Sequence, residues 1–140
     1  MSGYATTGSA RGLHPVHAML LAFPLPLFLG ALLSDIAYAR SYHVQWANFA
    51  SWLIVGGVVV GAFAVLWALI DMVRHRTRHA VIYFAVLAVM WALAVVNALV
   101  HAQDAWGSMP QGLYLSAITA VLAAVAAWMG YSRSRTGDVS

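Results

Sequence analysis

Apolar residues fill four long runs of this chain, and the few polar residues inside those runs fall on two helical faces. His79, Tyr83, Met90, Asn97 and His101 recur at intervals of 4, 7, 7 and 4 residues. At about 100° per residue they stay within roughly 40° of one azimuth. His17, Pro24, Phe28 and Asp35 recur at 7, 4 and 7 residues and also share one side of a helix. Histidine and aspartate are costly inside an apolar helix, so two such stripes predict a polar interior between them.

The runs predict spans at about 15–38, 48–73, 79–101 and 112–131. Each is long enough for the ~20 helical residues that cross a hydrocarbon core. Residues 1–12 read as a disordered N-terminal segment, 13–131 as a four-helix transmembrane domain and 132–140 as a polar tail. Pro15 suits a first helical turn. Pro24 and Pro26 lie inside the first span, where their missing N–H groups predict a kink. Residues 39–47 read as a loop. Residues 74–78 read as a short turn that makes spans two and three antiparallel neighbours. Gly57 and Gly61 have the GxxxG spacing of close helix approach, and Ala120, Ala124, Ala127 and Gly130 offer small packing positions in span four. The fold class is all-α, an integral membrane four-helix bundle.

Composition changes this picture only by adding orientation. The chain is 63 % hydrophobic and 8 % charged, whereas a soluble domain carries about 25 % charged residues. Its basic residues are all arginine, and they lie outside the spans. Arg11, Arg74, Arg76, Arg78, Arg133 and Arg135 fall on one side and Arg40 on the other, which predicts an N-in, C-in topology. The net charge of +3 therefore sets topology; nucleic-acid binding needs a clustered patch and is excluded. The absence of cysteine removes disulfides, thiolate metal sites and thioether-linked haem. The first apolar run is longer than a signal-peptide core and reads as a retained span.

Spans one and three run in the same direction, so His17 and His79 start at one depth. Asp35 and Asn97 each lie about 27 Å further along. Two polar clusters follow. The inner one holds His14, His17, Asp71, His75 and His79, and the outer one Asp35, His43, Asn97 and His101. A non-covalent haem b takes axial imidazoles from facing helices, and His17 with His79 is the best-placed pair for the iron. Asp71 would orient one ring, with His14 beside it. His43 with His101 would hold a second haem. Four imidazoles from His14, His17, His75 and His79 also suit zinc or copper. Proton or ion movement along the stripes is the third chemistry, since histidine titrates near neutral pH. Plainer readings compete: interfacial histidines at the span ends, an Asp71–Arg74 ion pair, a structural bond from Asp35 to Asn97 or His101, and Phe28 and Met90 as ordinary core.

The run Leu13-His14-Pro15-Val16-His17, then Pro24, then Asp35 near the end of the same span, resembles a bacterial membrane-protein family catalogued as domain of unknown function 2231. Asp71 closing span two and His79 opening span three are similar to that family's pattern. The resemblance implies a four-span bundle. It also implies a place beside membrane redox systems, including quinoprotein dehydrogenases and Rieske-type proteins.

The leading expectation is a b-type cytochrome-like subunit of the bacterial inner membrane. It would carry electrons between a periplasmic quinoprotein or cytochrome partner and membrane quinone. A non-catalytic anchor or assembly subunit of a redox complex is the alternative, packed through GxxxG contacts. A proton or ion channel formed by a homo-oligomer is the second alternative. Membrane lipid is the surrounding partner in each case.

Overall fold

A computed structural model describes residues 14–104 and 106–136, with side chains as far as residue 133. The expected N-terminal segment 1–12 and the last part of the tail lie outside the described residues. Five helices and no strand occur among the described residues: α1 Pro15–Ala22, α2 Pro24–Ser41, α3 Val44–His75, α4 Arg78–His101 and α5 Gln111–Thr136. They make four stretches long and apolar enough to cross a membrane, with α1 and α2 forming one span of 27 residues.

The first span is interrupted where proline dictates. Pro24 and Pro26 cannot donate to the carbonyls one turn back. The helix breaks at Phe23, which keeps right-handed helical dihedrals and bonds Met19 O through its own N–H at 3.3 Å. The chain thus bends without leaving the bundle.

The expected loop over 39–47 shrinks to Tyr42 and His43. Helix α2 continues to Ser41, where Tyr42 caps it in the left-handed region at φ 56° and bonds Tyr38 O at 2.8 Å. Helix α3 starts at Val44, four residues before the expected Asn48. Gln45 and Trp46 are compatible with helix, and polarity alone had marked them as loop. At the other end Arg76 adopts φ 46°, and Thr77 caps α4 by accepting from Ala80 N at 3.2 Å. Helix α5 runs to Thr136, so the polar tail begins as helix.

The helices form a closed ring in which α2 touches α3 and α5, and α4 touches α3 and α5; α1 lies against α2, α3 and α5. Buried positions advance by alternate steps of three and four. On α3 they are Ala47, Ala50, Ile54, Gly57, Gly61, Ala64 and Ala68. On α4 they are Ala80, Tyr83, Leu87, Met90, Ala94, Asn97 and His101. That 3.5-residue period is the seam of a left-handed supercoil. Nearly all of the seam on α3 is alanine or glycine, and larger residues from α2 and α4 fill the space they leave. The Phe28 ring sits where a Cβ on Gly57 would be, and Trp91 packs 3.3 Å from the Cβ position of Gly61. Trp91 Nε1 donates to Val58 O at 3.0 Å beside it. Both GxxxG glycines are therefore spent inside one chain, which removes them as the contact for an anchor's partner.

On α5 the buried small residues are Ala120, Ala123 and Ala126 with Gly130, in place of the expected Ala124 and Ala127. The outward surface carries large apolar side chains, among them Trp52, Leu99, Val121 and Trp128. Such a surface suits hydrocarbon.

Candidate functional site

The two stripes do meet, at the end of the bundle that carries the α2–α3 turn. Asp35 on α2 and Asn97 on α4 are fully buried, and Ser116 on α5 is buried with them. His101 Nε2 lies 2.9 Å from Asp35 Oδ1. Ser116 Oγ donates to Asp35 Oδ2 at 2.5 Å, and Asn97 Nδ2 donates to Ser116 Oγ at 2.9 Å. His101 Nδ1 lies 3.0 Å from the Asn97 carbonyl oxygen. Gly112 makes room for the imidazole, since a Cβ there would stand 2.6 Å from His101 Cε1.

This geometry fixes most of the protons. A carbonyl oxygen only accepts, so Nδ1 of His101 carries a hydrogen. The Asn97 amide nitrogen only donates, so Ser116 accepts from it and turns its own hydrogen to Oδ2. One position remains, the line between Oδ1 and Nε2. A proton there gives either a neutral acid–imidazole pair or a carboxylate–imidazolium pair, and both are neutral overall. Removing it leaves a carboxylate facing an imidazole lone pair. Asn97 Oδ1 has no hydrogen-bond partner among the described residues. A cleft of about 170 Å³ lined by Asn48, Ser51, Gln103 and Ser108 reaches His101 from the surface.

The opposite end is organised differently. His17 is half-buried and stacks on Trp67 at 5.2 Å and 20°, and His14 lies 5.9 Å from the same indole. Asp71 bonds Arg133 at 2.7 Å and His75 at 3.0 Å. The expected Asp71–Arg74 pair is thereby replaced by one across helices, α3 to α5. Tyr83 is buried beside Gly130 and Leu21, its hydroxyl without a hydrogen-bond partner among the described residues. His79 is exposed and lines a groove with Thr77, Ser132 and Arg133.

Those positions do not fit haem. His17 is engaged with Trp67, His79 stands in an outer groove, and Leu21 and Tyr83 occupy the interior at this level. Asp71 is bonded to His75 and Arg133, which is not the orienting bond to an axial His17. The outer pair fails as well. His43 is exposed at the N-cap of α3, and both ring nitrogens of His101 are already engaged. No group of three or more His, Cys, Asp or Glu residues placed to hold a metal ion occurs among the described residues.

The profile of the predicted membrane protein family DUF2231 matches residues 13–139. The chain belongs to this family. No curated protein and no solved structure matches it. The DUF2231 match takes in all four spans, so both polar ends lie within the family region. Of the residues that carried the resemblance, Asp35 enters the buried network, Asp71 the cross-helix ion pair, and His14 and His17 the Trp67 face. Ser116, Gly112 and Trp67 were not foreseen as site residues. Ser116 had one weak signal: it is a hydroxyl in an apolar run, one turn after a glycine.

Proposed function

We propose that this protein is a proton-exchange subunit of the bacterial inner membrane, working at its Asp35 end. The observation that carries the reading is the buried Asp35–His101 contact, in which the hydrogens on His101 Nδ1 and Ser116 Oγ are committed and one shared position is left. Ionisable residues at membrane depth are expensive, and they mark proton relays where they persist. A buried ion pair adds little stability over an apolar pair of similar volume, so folding alone does not require it.

The cleft beside Asn48, Ser51, Gln103 and Ser108 gives water a route to the imidazole edge. Loading brings one proton from that water onto the pair, and unloading returns it, leaving the site with one negative charge. The described residues outside the spans form only short turns, so no chamber for a soluble substrate is built there. The arginine distribution supports placing this end on the outer face. The proton would serve a reaction in a membrane partner.

Infrared difference spectra of the protein in lipid vesicles, taken across a pH step, test this. A carboxyl, carboxylate or imidazole band that changes across the step and is lost in both Asp35→Asn and His101→Asn is expected. Bands that both variants leave untouched, or no such change across the step, overturn the reading.

A further inference from the structure

We infer that the end of the bundle opposite Asp35 holds one anionic phospholipid, seated across helix α5. Two grooves meet there. The first is apolar, about 340 Å³, and is lined by Leu25, Ala124, Ala127, Trp128, Tyr131 and Ser132. The second is polar, about 480 Å³, and is lined by Thr77, His79, Ser132 and Arg133. Ser132 lines both, so one molecule can occupy the two.

The order of residues along α5 matches a lipid from tail to headgroup. Ala124 lies deepest, then Ala127 and Trp128, then Tyr131 and Ser132, then Arg133. From residue 124 to 132 the helix advances about 12 Å. Apolar lining gives way over that distance to an aromatic pair, then to a hydroxyl and a guanidinium. Trp and Tyr prefer the headgroup boundary, so this gradient runs along the membrane normal. An acyl chain suits the first groove. A phosphate suits the second, where hydroxyls, an imidazole and a guanidinium converge.

Charge decides which headgroup. Arg74, Arg76 and Arg78 are exposed around the α3–α4 turn, and Arg133 faces the same end. Asp71 is the only acid at this end among the described residues, and it is paired with Arg133 and His75. An excess of arginine at a membrane surface favours anionic over zwitterionic lipid. Free phosphate would leave the apolar groove empty, and a neutral amphiphile would forgo the attraction of the arginines around this end.

The test uses the full chain in neutral detergent, with thermal unfolding and native mass spectrometry as readouts. Phosphatidylglycerol, phosphatidylcholine and inorganic phosphate are titrated separately. One bound phosphatidylglycerol and a raised melting temperature are expected, with no comparable effect from the other two. Ala127→Phe, which fills the apolar groove from its outer side, abolishes the shift. Arg133→Gln weakens phosphatidylglycerol binding about fivefold, the worth of one arginine beside a headgroup. Val59→Phe, on the outward surface of α3, the helix diagonal to α5 in the ring, leaves it intact. Equal binding of phosphatidylcholine, a shift produced by phosphate alone, or full binding by Ala127→Phe overturns the proposal. All of these variants lie far from Asp35, so this result and the infrared result are independent.

Discussion

Asp35 and His101 join two helices whose backbones never approach each other. Helices α2 and α4 are diagonal in the ring, with no Cα pair within 8 Å. The 2.9 Å contact between these side chains spans that diagonal through the interior. Ser116 adds the third helix, so three of the four spans are tied at one level.

The energetic consequence is asymmetric. Removing one partner of a buried pair leaves the other uncompensated, and costs about 3–5 kcal/mol. Replacing both by apolar residues of similar volume removes that penalty. Asp35→Leu and His101→Leu are each expected to destabilise by about that amount, and the double variant by clearly less than the sum. Denaturation in detergent with a double-mutant cycle measures this. Strictly additive single effects would show that the two side chains do not interact.

Adjacent glycines of α3 should respond in opposite ways. A Cβ on Gly57 would enter the Phe28 ring, whereas a Cβ on Gly56 would meet Leu27 at 3.9 Å, an ordinary contact. Gly57→Ala is expected to cost about 1–3 kcal/mol through overpacking. Gly56→Ala should be neutral or stabilising, since alanine is the better helix former by roughly 1 kcal/mol. Phe28→Leu in the Gly57→Ala background should recover part of the loss. Equal stability for Gly56→Ala and Gly57→Ala would mean that Phe28 does not occupy the notch.

The fold was legible because membrane spans announce themselves by length and the stripes by period. Tyr83, Met90, Asn97 and His101 proved to lie on one seam, as did Pro24, Phe28 and Asp35. The stripes misled at their ends. His79 lies four residues before Tyr83, but the seam steps back three from Tyr83, to buried Ala80, and leaves the His79 ring outside. His17 precedes the break at Phe23, and there the ring finds the Trp67 face. Azimuth along one helix does not reveal where the facing helix stops. The tie from Ser116 to Asp35 was invisible for a related reason, because hydroxyls in membrane helices commonly bond their own backbone. Thr119 does so here, to Leu115 O at 2.9 Å.

His17 and His79 give a direct test of the electron-carrier expectation. With His17 on Trp67 and His79 in the outer groove, the two are not poised as axial ligands. Protein purified with added haem is expected to show no split α/β bands on reduction that depend on both residues. His79→Ala should leave the melting temperature unchanged. His17→Ala should change Trp67 fluorescence by removing the stacked ring. Low-spin bands lost in both His17→Ala and His79→Ala would restore the cytochrome reading.

Proton conduction across the bundle is a separate matter from proton exchange at one end, and packing separates them. Asn97 and Tyr83 lie about 21 Å apart along α4. The buried α4 seam positions between them are Leu87, Met90 and Ala94. Phe28, Ala123 and Ala126 fill the same core from α2 and α5. An apolar core packed at this density offers no donor–acceptor relay, and a proton entering it would face the full cost of an unsolvated charge. Vesicles carrying the protein should therefore hold an imposed pH gradient as long as protein-free vesicles do, with Asp35→Asn indistinguishable from the parent. A pH-sensitive dye inside the vesicles reads the decay. Flux that requires the protein and disappears in Asp35→Asn would mean that the core opens, and that the buried pair is a station on a pathway instead of a site at one surface.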